Sequence, residues 1–448
     1  MFNHSEKQLS DLAQQALDYA KQCGASAADV GVSESVGQSV SIRLQEIEQL
    51  EYQQDKSFDI TVYMGQRKGN ASSSDFSAAS VKATVDAALN IAKYTAEDDC
   101  AGLADSALLA RTWQDLDLFH PWALDVDKAI EEAKACEAAA MAADSRIHTS
   151  EGASINTTGS SQYVLANSNG FAAFMQSSRH SKSCSVLAQD ENGMERDYWY
   201  DQSRIATELL DNETLGKITA ERTVRRLGAR QVPTGVYPVV FDNTVSGSLI
   251  SHLVGALSGG SLYRKSSFLQ DSLGTSILPA WVQLREEPHI VRGLSSTYFD
   301  SEGVATKPRD IIKDGVVEGY FLSSYSARKL GMQTTANAGG AHNLVLNPNS
   351  IDLSDVLKQM GTGLLVTELM GQGVNALTGD YSRGAAGFWV ENGVIAYPVD
   401  EITIAGQLQN MFKNIVAIGN DGLKRSAHRI GSILISEMTI AGDEAVED

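Results

Sequence analysis

Eight histidines, four cysteines and a scatter of carboxylates are the residues of this 448-residue chain that could break bonds, and their spacing limits what they can do. None of the histidines stands in HExxH or HExxxH, the spacings that set two imidazoles on one helix face with a glutamate beside a metal-bound water. Cys23, Cys100, Cys136 and Cys184 lie far apart with no CxxC pair, so neither a disulfide framework nor a zinc knuckle is indicated; they read as small buried hydrophobes. His252 falls with Val245, Leu249, Leu253 and Ala256 on the apolar face of a helix expected from Asn243 to about Ser258, where a lone histidine reads as a hydrogen-bonded core residue. Asp300 and Glu302, just before Gly303, have the types for metal binding or acid and base work, although a strand-end turn satisfied by its own side chains is the simpler reading. Ser326 to Lys329 matches SxxK, and reads as a surface helix.

Gly371-Gln372-Gly373-Val374-Asn375-Ala376 satisfies the GxGxxA form of a dinucleotide loop. That form needs a helix immediately afterwards to hold a pyrophosphate, and Leu377-Thr378-Gly379-Asp380 is turn chemistry instead. There is no P-loop and no GxSxG, so phosphoryl transfer and α/β-hydrolase chemistry have no support. A formal charge of -20 argues against nucleic acid as a partner, and Arg222, Arg225 and Arg226 beside Glu221 read as a solvated helix face. The first twenty residues carry charges where a signal peptide needs an apolar run, and no window approaches eighteen apolar residues, so no membrane role and a cytoplasmic location are expected.

The elements that must position these residues follow from hydrophobic period. Leu9, Leu12, Ala13, Ala16, Leu17 and Ala20 make a helical stripe; residues 28–74 alternate as a β-meander; Ser77 caps a second helix, and 125–143 form a third. Residues 98–123 read as an irregular connection. Strands fill 146–200, with Asn169-Gly170 and Asn192-Gly193 as hairpin turns, and a helix is expected from about Thr214 to Arg230. The order suggests a loose duplication of a sheet-plus-helix unit. Gln231 to Gly235 is the best domain break, which gives an N-terminal α/β domain over 1–232 and a C-terminal β-rich domain over 233–448. The second half opens on VYPVVF, buries the Asn243 helix near its start, and turns at Asp314-Gly315 and Asn392-Gly393. Short helices are expected near 324–329 and 352–360. The fold class is therefore α+β: β-meanders with packed helices, then a mainly antiparallel sheet curled into a partial barrel.

The passages SLYRKSSFLQDSLG at Ser261 to Gly274, FDSEGVATKPRDIIKDGVVEGYFLSSYSARKLG at Phe299 to Gly331, and the glycine-rich run from Gly361 to Gly406 resemble the TldD/PmbA family of peptidase-related proteins, and within it the PmbA (TldE) branch. In the TldD branch the helix matching Asn243 to Ser258 carries HExxxH and a cysteine near the C-terminus completes a zinc site. Aligned through Gly255, this chain has Ser251 and Ala256 where the histidines stand and His252 where the glutamate stands, and no cysteine follows Asp421. The resemblance therefore implies a chain with no metal or cofactor of its own and no catalytic residue. It implies a TldD-like zinc metallopeptidase as partner, the zinc being the partner's, and an unfolded peptide enclosed between the two halves. Processing of a gyrase-targeting peptide antibiotic and degradation of an antitoxin are the roles it implies. Gly371, Gly373 and Gly379 would allow close approach of a peptide backbone, and Asn375, Thr378, Asp380 and Ser382 would hold its main chain or cap their own loop. Two alternatives stay open: a homodimeric peptide-binding scaffold, and a peptidase in its own right through His252, His342 and His428.

Overall fold

Ser5 starts the first helix through four residues of local chemistry: its hydroxyl accepts from the Gln8 amide while the Gln8 side chain accepts from the Ser5 amide, a reciprocal capping box. The helix that follows, α1 (Glu6–Gln22), buries Leu9, Ala13, Ala16, Leu17 and Ala20, the stripe set by the 3.6-residue period. The computed structural model describes residues 2–156, 160–191 and 193–442; Asn192, half of one expected turn, lies outside them. Next come β1 (Ala27–Arg43), β2 (Glu46–Met64), β3 (Arg67–Ser73), α2 (Ala78–Tyr94, capped by Ser77), α3 (Val126–Ala143) and β4 (Ile147–Asn156). β5 (Ser160–Asn167), β6 (Ala172–Ser177), β7 (His180–Asp190), β8 (Gly193–Ser203) and α4 (Asn212–Val224) complete the first half. Cys136 and Cys184 are buried in it as expected, but Cys23 is exposed and Cys100 only half-buried.

These eight strands form one sheet, six of them ordered β3-β2-β1-β4-β7-β8, with β5 branching from β1 and β6 pairing with β5. The second expected meander is not a meander in space. β1 is long enough to take two neighbours on one side, Asp29 to Val36 pairing with β5 and Ser39 to Ile42 with β4, so β4 finds its other neighbour in β7. Both halves of the suspected duplication thus merge into one sheet. Alternation decides its faces: Ala28, Val30 and Val32 pack under α1 and α2, while Gly31, Ser33 and Asp59 face a cavity of about 430 Å3 bounded by Phe299, Asp300 and residues 338–342 of the second half. α4 ends near Val224 rather than Arg230, because the amides of Arg226 and Leu227 turn back to Thr223 and Val224 and Gly228 takes φ +76°.

The second half runs β9 (Gly235–Phe241), α5 (Ser246–Ala256), α6 (Gly259–Tyr263), β10 (Leu284–Glu286), β11 (Arg309–Lys313), β12 (Val316–Val317), α7 (Ser324–Lys329), β13 (Leu344–Leu346) and α8 (Leu353–Met360). β14 (Gly363–Met370), β15 (Asp380–Glu391), β16 (Val394–Gln407), α9 (Leu408–Lys413), β17 (Ile415–Ile418), β18 (His428–Arg429) and β19 (Ile433–Ala441) follow. The expected curl closes fully: β16-β15-β14-β9-β19 is a ring, because Thr403 to Ala405 of β16 also pair with Thr439 to Ala441 of β19. Two pairings, β9 with β14 and β13 with β18, are parallel. Asn392 and Gly393 take φ +52° and +77°, as a type I′ turn between β15 and β16 requires.

Val239 and Phe241 of β9, with Leu364, Val366, Ile433 and Ile435, join α5 (Leu249, Ile250, Leu253) and the short sheet of β10 to β13 in one core. The intervening Val240, Leu365 and Leu434 pack instead under α8 through Val356, Leu357 and Met360. α5 starts three residues later than Asn243, since the Asp242 carboxylate and carbonyl hold Thr244, Val245 and Ser246 in a preceding turn.

Burial between the halves shifts two carboxyls. Asp29 and Asp300 are each pushed up to about 7 by desolvation, with Asp59 and Glu302 adding to Asp29 against the pull of Lys68. A carboxyl raised in the fold stabilises below its unfolded value near 4, and that contribution is lost as pH rises to about 7. The buried His180 and the half-buried His252, His289 and His428, shifted down by burial, act in the opposite sense. The difference between Asp29→Asn and the parent therefore isolates the carboxyl. Urea unfolding at pH 5 and pH 8 should show the variant gaining about 2–3 kcal/mol more at the higher pH, and an equal effect at both would contradict the assignment.

Candidate functional site

α5 is the helix to which metal-ligand positions were assigned, so its side chains are the natural start. Ser251 is exposed and donates to the Gly247 carbonyl at 2.9 Å, and Ala256 is buried in the core. His252 is half-buried but not the hydrogen-bonded core residue expected: its Nε2 is sealed from solvent without a partner, and its ring lies edge-on to Tyr381 at 6.0 Å. Burial, then the positive charge of Arg383, lowers its pKa and keeps the imidazole neutral.

Zinc needs imidazole, thiolate or carboxylate donors converging at about 2 Å, and of these three side chains only His252 offers one. His342 is committed elsewhere through Nε2 to the Ala336 carbonyl at 2.8 Å, and among the described residues no three His, Cys, Asp or Glu side chains gather to hold a metal. The residues present do not fit a zinc ion here. Two other candidates resolve into structural roles. Asp300 accepts from the amides of Glu302, Val304 and Ala338, closing its own turn, and Ser326 completes a capping box with Ser323 while Lys329 pairs with Asp98 at 2.9 Å.

The glycine-rich segment forms one loop between β14 and β15, and with the first residues of β15 it brings Gly371, Gly373, Asn375, Thr378, Gly379, Asp380 and Ser382 together. All but Gly379 are exposed. Its polar side chains act largely within the loop. Asn375 Oδ1 accepts from the Leu377 amide at 3.0 Å, the Thr378 hydroxyl donates to Asp380 at 2.5 Å, and Gln407 donates to the other oxygen of Asp380. Gly373 is needed for the loop itself, since a Cβ there would sit 1.9 Å from the Ser382 carbonyl oxygen that backs it. The loop ends in Tyr381, the residue against His252, whose hydroxyl burial pushes up to about 12 against the opposing pull of Arg383.

Beside this loop the halves of the molecule meet across a cleft of about 340 Å3. β8 supplies Asp197 to Tyr200, α4 supplies Arg222, the approach to α5 supplies Thr244 and the first turn of α5 Ser248, β14 supplies Thr367 and Glu368, β15 supplies Arg383, and the 419–432 loop supplies Leu423 and Arg425. Arg425 stacks on Trp199 at 3.8 Å and Tyr200 at 4.1 Å and donates to the Tyr200 carbonyl, while Gln202 donates to the Arg425 carbonyl at 2.7 Å. Arg222 lies 4.6 Å over Trp199 and pairs with Asp197 at 3.2 Å. The expected solvated face of α4 is thus corrected: Arg222 and Arg226 point inward, with side chains 14% and 13% exposed. Arg226 meets Glu195, Glu368 and Asp400 together. Arg383 and Arg425 escaped sequence reasoning, because an isolated arginine has no local pattern; the aromatic run Tyr198-Trp199-Tyr200 on a strand was the one available signal.

Comparison with known proteins agrees with this architecture. Models of PmbA/TldA metallopeptidase domain 1, central domain and C-terminal domain match residues 28–92, 119–227 and 234–442. The chain is 53% identical over 418 residues to metalloprotease PmbA of Escherichia coli O157:H7, covering 93% of this chain and 92% of that one. It is 51% identical over 440 residues to a metalloprotease PmbA homolog of Haemophilus influenzae, covering 98% and 97%. A crystal structure from Bacteroides thetaiotaomicron, described as a candidate modulator of DNA gyrase, superposes with TM-score 0.91 at 31% identity over 97% of this chain and 98% of that one.

The Arg226 network gives a stability test. Arg226→Ala leaves Glu195, Glu368 and Asp400 facing one another in a half-buried setting, a loss of about 2 kcal/mol after discounting for their partial exposure. The urea midpoint should fall at pH 8 and fall less at pH 5, where the carboxyl of Glu195, raised first by burial, is closer to neutral. An unchanged midpoint would mean the network is energetically idle.

Proposed function

The chain belongs to the PmbA/TldD metallopeptidase family, and from that membership we propose that it is the metal-free half of a two-subunit peptidase, holding an unfolded peptide against the zinc of a TldD-like partner. One observation carries the reading: the helix that the resemblance equips with two zinc-binding histidines has Ser251 bonded to its own helix, Ala256 in the core and a desolvated neutral His252 between them. With no ligand set, the chain's contribution is to confine and orient, which can itself account for several kcal/mol of a barrier.

An extended peptide asks mainly for backbone partners and shallow side-chain pockets. The exposed 371–382 loop, and the cleft beside it, offer both at the junction of the two halves. In this reading the units 1–232 and 233–448 fold as separate domains, the protein works in the cytoplasm, and its substrates are unfolded peptides such as antibiotic precursors and antitoxins. Among the described residues no helix is long and apolar enough to cross a membrane.

Peptide hydrolysis and bound zinc, measured on the pure chain and on its mixture with a TldD-like partner, test the proposal. Cleavage and stoichiometric zinc are expected only in the mixture. Zinc-dependent cleavage by the chain alone, abolished by His252→Ala, would overturn it.

A further inference from the structure

We propose that the cleft between β8 and the start of α5 is a carboxylate-binding site, in which Arg383 and Arg425 hold an acidic group of the peptide. The identity of the ligand as a peptide rests on the function proposed above; its charge rests on the cleft alone.

Three guanidinium groups line the cleft and two carboxylates oppose them. Both carboxylates are already engaged, Asp197 by Arg222 and Glu368 by Arg226. Among the described residues no carboxylate pairs with Arg383 or Arg425, and the Nε of each is sealed from solvent without an acceptor. An arginine cannot shed its proton to escape such a position, so the missing counter-charge is a standing electrostatic demand. Burial pushes the Arg425 guanidinium down from its ordinary value against the opposing pull of Tyr200 and Asp201, and the neighbouring charge of Arg222 adds to the lowering. This positive spot belongs to a chain of net charge -20.

The shape of the demand is specific. Stacking on Trp199 and Tyr200 fixes the plane of Arg425, and since its Nη1 already donates to the Tyr200 carbonyl, a planar, two-oxygen acceptor would share the remaining donors of Arg425 with those of Arg383. The hydroxyls of Thr244 and Ser248 donate to Asp242 and to the Val245 carbonyl, which leaves their lone pairs to accept from amides of the neighbouring main chain, and Leu369 and Leu423 give apolar wall for an adjacent side chain. A volume near 340 Å3 suits a few residues of an extended chain. Either a C-terminal carboxylate or an aspartate or glutamate side chain satisfies this chemistry.

Calorimetric titration of the full chain, alone and without zinc, separates these sources. The probes are four alanine-rich hexapeptides of one length: a free acid, its C-terminal amide, an amide carrying one glutamate, and an amide carrying glutamine in its place. At least one acidic peptide should bind about tenfold or more tighter than both neutral ones, the winner identifying the source, and the advantage should shrink as salt rises. Arg383→Gln should erase that advantage; Arg425→Gln should do the same, but it also loosens the 419–432 loop, so Arg383→Gln is the deciding variant. Equal affinity for acidic and neutral peptides, an unchanged advantage in Arg383→Gln, or binding of inorganic phosphate with no acidic peptide bound would each overturn the site. Acidic-peptide binding combined with no cleavage by the partnered mixture would keep the carboxylate site and remove the subunit reading.

Discussion

Closing a ring of strands is the constraint from which the second half of the molecule follows. Five strands complete the ring only when β16 pairs on both sides, with β15 along its length and with β19 at its far end. Closure removes free sheet edges, and it fixes an alternation in which Val239 and Phe241 point to one core while Val240 points to another. It also forces a crossover. β9 and β14 are parallel neighbours, so the chain between Phe241 and Gly363 cannot be a hairpin and must travel out and back. That excursion carries α5, the short sheet and the segment that covers the first half's sheet. The helix at the candidate site is where it is because two barrel strands run the same way.

The junction between the halves is governed by desolvated charge. On one side carboxyls are pressed together and made harder to ionise; on the other, arginines that cannot neutralise are stacked on aromatic rings and shared among carboxylates. Arginine suits the second role because its flat, delocalised cation tolerates an aromatic face and spreads several bonds over one plane. Arg425 ties the 419–432 loop to β8 by this means, so that side of the cleft is pinned by a cation to the opposite half.

Local signals carried most of the elements. The capping box at Ser5, the cap at Ser77, the positive-φ pairs at Asp314-Gly315 and Asn392-Gly393, and the short helices at Ser324 and Leu353 were all readable because their determinants lie within a few residues. Strand partners were not, since nothing near β4 says that its neighbour is β7 rather than β5. Burial of arginine was not legible either. The spacing of Arg222 and Arg226 marks one helix face, but whether that face meets water or a cluster of carboxylates depends on Glu368 and Asp400, more than a hundred residues away. The loop from Gly371 to Ser382 was legible as a turn-rich unit, while its internal bonds depend on Gln407 and Gln409 from the following strand and helix.

The position of β9 has a consequence for biosynthesis. Its hydrogen bonds go to Leu364, Leu365 and Val366 on one flank and to residues between Ile433 and Ile440 on the other. A ribosome that has just made Phe241 has produced the barrel's first stave with neither neighbour yet translated. The eight-strand sheet ahead of it, complete by Ser203, can assemble while the rest is still emerging. β9 and the apolar face of α5 must stay uncommitted until β19 leaves the exit tunnel. The second half is therefore the portion most exposed to aggregation, and to chaperone capture, during synthesis.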